Sequence, residues 1–190
     1  MEIPPAFKFL LKPLIILDFS NPNLGIWVLV MLILVFLSAL LSGSEVAIFG
    51  LSNSQKLNLS NEINNKNSTR VLKLLESPKK LLATILIGNN LVNVAIVIVS
   101  SIIMNEIFPS DTQNFLTSFI LQVVTVTFII LLFGEVIPKV YANNYNIRFS
   151  KTMALPISIL KIIFNPFSNL LISSTSIIDK KIDKKIELLN

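Results

Sequence analysis

A single acidic residue, Glu135, follows a long apolar run, and its neighbours free a backbone oxygen beside it. The run from Phe115 to Phe133 is long enough to cross a bilayer, and an ionised carboxylate at membrane depth is costly and usually functional. Pro138 has no N–H, so the carbonyl of Gly134, four residues earlier, loses its helical donor. A carboxylate and a backbone carbonyl are both hard oxygen ligands, so together they indicate a cation site.

Two further polar clusters interrupt apolar runs earlier in the chain. They consist of Ser42, Gly43, Ser44 and Glu45, and of Asn89, Asn90 and Asn93. At about 1.5 Å per residue along a helix, both clusters and Glu135 fall in the same half of the bilayer. Hydroxyl, amide, carbonyl and carboxylate oxygens at one depth could surround a cation that has lost most of its water. The three clusters together predict one shared ion site.

Each cluster also has a purely structural interpretation. Asparagine in membrane helices often hydrogen-bonds between helices, at about 0.6 kcal/mol on average, and serine and glycine permit close packing. Glu135 could extend to the headgroups and pair with Lys139. Glu45 lies near a helix end, where a pairing role is expected. We therefore assign Glu45, Pro138 and Lys139 only a supporting role at the site.

The composition is that of an integral membrane protein. Of the 190 residues, 53% are hydrophobic and 14% charged, and the mean hydropathy is +0.73, whereas a soluble domain has about a quarter charged residues. The absence of cysteine and histidine excludes disulfides, thiolate chemistry and the usual zinc, copper or haem ligands, and favours Mg²⁺, Ca²⁺ or Na⁺. A membrane carboxylate without histidine, cysteine or a nucleophile pair is a poor catalytic set, so we expect no enzyme.

The apolar runs predict an all-α membrane fold. Three spanning helices are expected at about residues 24–51, 81–104 and 115–138, with amphipathic juxtamembrane helices at 52–80 and 139–178. Within the last segment, prolines at positions 156 and 166 leave pieces of about ten residues, too short to cross. We therefore expect a bent pair of helices there, broken at these prolines.

Basic residues orient the chain. Lysine and arginine are frequent in 52–80 and after residue 138, and absent from 105–114. The positive-inside rule places the N-terminus and the 105–114 loop outside, and the 52–80 loop and C-terminus in the cytoplasm. The net charge of +5 then reflects cytoplasmic loops, not a nucleic-acid partner. We expect an extracytoplasmic lead at 1–23, a membrane domain at 24–178, and the start of a linker to a cytoplasmic domain at 179–190.

The three polar clusters, with their neighbours, resemble a known family. Ser42 to Ala47, Gly88 to Asn93 and Phe133 to Lys139 are similar, in order and spacing, to the three signatures of the transmembrane (DUF21) domain of the CNNM/CorC magnesium transporters. The resemblance covers about residues 24–178. One departure is Val46, where many family members have threonine.

The resemblance implies both an architecture and a function. It implies three membrane helices with a juxtamembrane belt, a homodimer in the bacterial inner membrane, and Mg²⁺ held between the helices. It implies Mg²⁺ export, with Na⁺ entry as a candidate coupling, and a cytoplasmic CBS-type domain pair that senses Mg-ATP in the full-length protein. The ion-site positions that correspond are Ser42, Gly43, Ser44, Asn89, Asn90, Asn93, Gly134 and Glu135.

An alternative of a different class is a membrane scaffold or regulator that does not transport. It keeps the same fold and uses the polar clusters for packing. The Val46-Ala47 pair is similar to a gliding-motility-associated branch of the family. Small residues near the first cluster, at positions 38, 39, 42 and 43, would let a second copy of the chain approach closely.

Overall fold

The computed structural model describes residues 22–62, 64–107 and 115–170, and every regular element within these ranges is helical. In chain order these elements are α1 (Pro22–Phe49), α2 (Asn53–Asn61), α3 (Lys66–Leu75), α4 (Pro78–Ile107), α5 (Phe115–Ile129), a π segment (Ile130–Val136), α6 (Ile137–Asn144) and α7 (Asn146–Ile163). Three stretches are long and apolar enough to span a membrane, namely Asn23–Phe49, Pro78–Ile107 and Gln122–Asn144. The predicted all-α membrane fold with three spans is confirmed. The expectations for 1–21, for 108–114 and for 171–190 lie outside the described residues.

The third helical path is longer than predicted, because Pro138 does not end it. The chain passes from α5 through the π segment into α6 without a break, and reaches Asn144 instead of residue 138. Pro138 lies in the first turn of α6. A missing N–H is tolerated in a first turn, and the fixed φ of proline suits it.

Pro156 does not break its helix either, contrary to the sequence prediction. It lies inside α7, which runs continuously from Asn146 to Ile163. Met153, Ala154 and Ile157 are buried on either side of it, and this packing offsets the hydrogen bond that the proline removes. The bend comes later, at a turn on Phe164, after which residues 165–170 are again helical.

Two short helices lie between the first and second spans, separated at Glu62–Asn65. Ser52 begins α2 with a capping box: its hydroxyl accepts from the Gln55 N–H at 3.2 Å, and the Gln55 side chain accepts from the Ser52 N–H at 2.9 Å. Asn65 caps α3 by a simpler contact, in which its side-chain oxygen accepts from the N–H groups of Asn67 and Ser68. Only α3 has a buried face; α2 buries Leu59 alone. The amphipathic prediction therefore holds for α3 but not for α2.

The hydrophobic core lies at one end of the three spans. It joins the last part of α1, the start of α4, α3 and α7, through Leu41, Ile48, Leu74, Leu81, Ile85, Met153 and Ile157. Towards the other end, α1 leaves large apolar side chains more than half exposed, including Leu29, Leu32 and Phe36. Exposed apolar residues are expected where a helix faces lipid.

The small residues of α1 are used inside a single chain. A Cβ on Gly43 would lie 2.7 Å from Cζ of Phe149 and 3.3 Å from Cβ of Ala142, so the glycine lets α6 and α7 approach α1. Ser38 and Ser42 are also buried within the chain. Ser38, Ser42 and Gly43 therefore pack within the chain, and the homodimer stays a prediction.

An ionic contact outside the membrane spans ties the α2–α3 junction to α7. The Lys151 ammonium donates to both carboxylate oxygens of Glu62, at 2.6 and 2.7 Å, and the Ser68 hydroxyl donates to one of them at 2.6 Å. The hydrogen bond from Lys151, followed by the one from Ser68, holds the pKa of Glu62 below its ordinary value of 4.5. This contact therefore favours the folded state while Glu62 is ionised.

Replacing Gly43 with leucine should destabilise the protein. Phe149 packs against the hydrophobic core and cannot yield fully to a larger side chain, so we expect a loss of about 1–3 kcal/mol in unfolding free energy. Thermal unfolding in detergent measures it. Gly25→Leu is the matched control, because a Cβ at Gly25 meets nothing within 4 Å and leucine favours a helix over glycine. Equal melting temperatures for the two variants would contradict the assignment.

The Glu62 contact should make stability depend on pH in a defined direction. Because the folded-state pKa lies below the unfolded value, the stabilisation is complete above about pH 4.5 and is lost as the pH falls through the folded-state pKa. Glu62→Gln should therefore melt below the parent at pH 7, and the difference should vanish in acid. Glu106→Gln, at the exposed far end of α4, should match the parent throughout; a pH-independent gap for Glu62→Gln would refute the contact.

Candidate functional site

Ser38 of α1 is the point at which the first and second spans share polar groups. Its hydroxyl lies 3.1 Å from Oδ1 of Asn89 and 2.8 Å from Oδ1 of Asn93, in donating geometry to both. Ser38 is completely buried. It lies about three helical turns before Phe49, and Asn89 lies about three turns past Pro78, so each is about 16 Å from its helix end. The two antiparallel spans therefore meet at matching depth.

The oxygen acceptors around Ser38 outnumber the hydrogen that is available to them. A hydroxyl has one hydrogen, and here it faces two amide oxygens. Both amide oxygens point to the same place, so the negative ends of two dipoles and the lone pairs of the hydroxyl come together. A hard cation is the species that such a group of oxygens complements.

The third span reaches the same point through Gly134. This glycine is buried in the π segment, and a Cβ added to it would lie 3.0 Å from Oγ of Ser38. Any larger side chain would therefore press on the Ser38 hydroxyl. Members of the second and third clusters thus meet at Ser38, one helical turn before the first cluster, and the ion site itself stays a prediction.

The π segment changes the backbone hydrogen bonding around Gly134. The N–H of Ile137 donates to the carbonyl of Leu132, five residues back, and so turns away from Phe133, its partner in an α-helix. Pro138 has no N–H to offer Gly134. Phe133 and Gly134 therefore both lack their α-helical donor. The sequence predicted this for Gly134 alone, and π segments within helices are frequent at functional sites.

Ser42 lies one turn beyond Ser38 on the same face of α1. It is 1% exposed, and within the described part of the chain its hydroxyl has no hydrogen-bond partner. A buried hydroxyl without a partner is costly and calls for an explanation. An unsatisfied oxygen next to the Ser38 group fits a place where an ion or its bound water would sit.

Three of the predicted ligands are not brought to this point by the structure. Gly43 packs against Phe149 and Ala142. The Ser44 hydroxyl donates to the carbonyl of Leu40 in its own helix at 2.5 Å. Asn90 is exposed on the outside of α4. The spacing of the asparagines left open which of them share a face, and α1 packs on the face of Asn89 and Asn93.

The charged residues near the third span do not form the Glu135–Lys139 pair that the sequence allowed. Lys139 lies 3.6 Å from the carboxylate of Glu45, so Lys139 pairs across to α1 and not with Glu135. Glu45 has the pairing role that its position near the helix end suggested. Glu135 is half-buried, and within the described residues its side chain forms no hydrogen bond or ion pair. An acidic side chain in a membrane span without a protein partner is a functional candidate.

The site carries little negative charge. Among the residues that the structure describes, no three histidine, cysteine, aspartate or glutamate side chains come together as a metal-binding group. A cation here would be held by the neutral oxygens of Ser38, Ser42, Asn89 and Asn93. Glu135, the residue next to Gly134, would supply a carboxylate. Such a set binds less tightly than a cage of carboxylates, which suits an ion that must also leave.

Sequence reasoning did not include Ser38 in the ion site. The signal was present, because Ser38 precedes Ser42 by four residues and so continues the polar face of α1 by one turn. The sequence motif drew attention to Ser42–Ser44 instead, two of whose three residues serve packing or their own helix.

Comparison with known proteins finds a matching family model and relatives of similar sequence. The family model "Cyclin M transmembrane N-terminal domain" (CNNM) matches residues 29–186. A UPF0053 protein of Haemophilus influenzae is 34% identical over 114 residues, covering 60% of this chain and 26% of that protein. The UPF0053 inner membrane protein YfjD of Escherichia coli is 28% identical over 153 residues, covering 80% of this chain and 34% of that protein.

The matched region spans about a quarter to a third of the length of these relatives. The family match includes all three helices that meet at Ser38. With its three apolar spans, this is a multi-pass membrane protein, and the chain belongs to the cyclin M (CNNM) transmembrane-domain family.

Proposed function

We propose that this chain forms the membrane pathway of a Mg²⁺ transporter, with the ion passing through the oxygen group around Ser38. The observation that carries the proposal is the meeting of Ser38, Asn89 and Asn93 at one depth, closed by Gly134 of the third span. Membership of the CNNM family, whose general association is with Mg²⁺ transport, supports it. The proposal is one of binding and passage, not of catalysis.

Mg²⁺ suits the available ligands. It prefers oxygen ligands at about 2.0–2.1 Å, usually retains several waters, and is commonly bound through only one or two carboxylates. The site offers amide and hydroxyl oxygens with Glu135 nearby, and the unpartnered Ser42 hydroxyl could accept a hydrogen bond from a water that stays on the ion. Export, coupling to Na⁺ entry, the orientation of the termini, the homodimer and a following CBS-type domain pair stay predictions.

A scaffold role is the second candidate, and one observation favours it. The hydrogen bonds from Ser38 to Asn89 and Asn93 join two membrane helices, which is also what asparagine does when it serves only assembly. The two roles predict different responses of the protein to Mg²⁺. Substitution of the asparagines therefore distinguishes them.

Asn89→Ala and Asn93→Ala should each weaken Mg²⁺ binding while the fold survives. At a Mg²⁺ concentration about 100 times Kd, binding stabilises the folded state by about 2.7 kcal/mol. A tenfold loss of affinity removes about half of that. Melting temperature against Mg²⁺ concentration, in detergent, measures the change, and Mg²⁺ efflux from loaded vesicles should fall in the same variants.

The control for this experiment is Asn90→Ala, which removes the same amide from the exposed side of α4. It should keep the parental Mg²⁺ response. Because Asn89 and Asn93 share one hydroxyl, their double variant should lose less than the sum of the single losses. Parental Mg²⁺ responses with weakened helix assembly in Asn89→Ala and Asn93→Ala would favour the scaffold and end the transport proposal.

Glu135→Gln should remove the charge of the site while almost preserving its shape. We expect at least a tenfold loss of Mg²⁺ affinity, because the amide lacks the carboxylate charge that attracts the cation. Isothermal titration with Mg²⁺ measures the affinity. Glu45→Gln is the control, since Glu45 already pairs with Lys139 and should bind Mg²⁺ as the parent does. An unchanged affinity in Glu135→Gln would remove Glu135 from the site.

A further inference from the structure

A second polar feature, separate from the Ser38 site, lies where α3, the start of α4 and the end of α7 meet. It is a cavity of about 480 Å³ lined by four cationic side chains, Arg70, Lys73, Lys80 and Lys161. Ser158 and Asn165 add neutral polar groups to its wall, and no acidic residue of the described chain lines it. The cavity is therefore an anion site by composition.

Within the described part of the chain, no ion pair is shown for the four cations of the cavity. The Lys161 ammonium donates to the Ser77 hydroxyl at 2.6 Å, and the Arg70 guanidinium donates to the Asn67 amide oxygen at 2.9 Å. Both acceptors are neutral. An anion that binds between the four cations would lower their mutual repulsion.

The pKa of Lys161 is affected by its burial and by the neighbouring positive charges. Burial, followed by the charge of Lys80, lowers this pKa, whereas Glu76 acts in the opposite direction. Glu76 is exposed at the end of α3 and does not line the cavity. A bound anion would favour the charged form of Lys161.

The position of the cavity distinguishes between anions. Lys80 lies in the first turn of α4, a helix that spans the membrane from Pro78, so the cavity opens at the membrane surface. Beside it, the end of α7 and the helical residues that follow expose Ile162, Ile163 and Phe167 by 76%, 58% and 64%. A bare apolar surface next to a cationic cavity is complementary to an amphiphile, in which a phosphate and acyl chains are joined.

We propose that this cavity binds the phosphodiester headgroup of an anionic phospholipid, whose acyl chains lie along Ile162, Ile163 and Phe167. Arginine can hold phosphate oxygens with two parallel hydrogen bonds, and lysines add point charges that need no fixed geometry. Clustered basic residues at the membrane end of a helix recognise anionic lipids by this chemistry. A free phosphate shares the headgroup chemistry but not the apolar contact, so the two sources can be told apart.

The test measures the melting temperature of the full chain in a neutral detergent with three additives in turn: phosphatidylglycerol, phosphatidylcholine and inorganic phosphate. Phosphatidylglycerol should raise it, and the other two, at equal concentration, should not. The double variant Lys73→Gln/Lys80→Gln should bind phosphatidylglycerol at least tenfold more weakly. The control Lys56→Gln/Lys66→Gln loses the same charge away from the cavity and should respond as the parent does.

Each contrary outcome would overturn the proposal. Inorganic phosphate that stabilises as well as phosphatidylglycerol would make this a free-anion site. An equal loss in the control double variant would reduce the effect to general surface charge. No response to phosphatidylglycerol in the parent would leave the cavity without a lipid. If the double variant unfolds in detergent, Lys73→Gln alone, at an exposed position, gives the same comparison with Lys66→Gln.

Discussion

Polar groups inside a bilayer must find partners within the protein, and in this chain that requirement is concentrated on Ser38. One buried hydroxyl faces the amide oxygens of Asn89 and Asn93, and Gly134 closes over it from the third span. The register of α1 and α4 follows from this contact, because a shift of either helix by one turn would leave the amides without a donor in an apolar surrounding. The same contact leaves more acceptors than hydrogens, so the feature that fixes the helices is also the basis of the proposed cation site.

The hydrophobic core stabilises the Ser38 contact from one end of the spans. The core formed by α1, α3, α4 and α7 lies at the end of the spans nearest to Phe49 and Pro78. Its connections include the Glu62–Lys151 contact and paired side-chain amides of Gln55 and Asn146. The short helices thus brace the ends of α1 and α4 that lie nearest to Phe49 and Pro78.

Much of this organisation follows from local features of the sequence. Apolar runs of sufficient length predict the three spans, because crossing a bilayer depends on length and hydropathy, which are local properties. The depth of the polar clusters predicts their meeting, since helical rise is constant. The caps at Ser52 and Asn65 are also local. Membrane topology and the approximate site are therefore within reach of sequence reasoning.

Other features depend on tertiary contacts and could not be obtained in that way. Asn89, and not Asn90, lies with Asn93 against α1, because α1 packs on that side of α4. The continuity of α7 through Pro156 depends on the burial of its neighbours. The π segment, which shifts the donor of Ile137 to Leu132, leaves no mark in composition or periodicity. The role of Gly43 as a packing contact, and not a ligand, appears only when Phe149 is placed against it.

The concentration of packing at one end has a mechanical consequence. Away from this core, α1 exposes Leu29, Leu32 and Phe36, side chains that would contact acyl chains in a bilayer. The spans are still joined on that side, because Ile96 and Val99 of α4 are buried and the Gln122 amide of α5 donates to the Ser100 hydroxyl at 3.1 Å. The helix ends nearest to Phe49 and Pro78 cannot separate without dividing the core. A change in bilayer thickness would therefore act on the exposed apolar ends of the spans, away from that core.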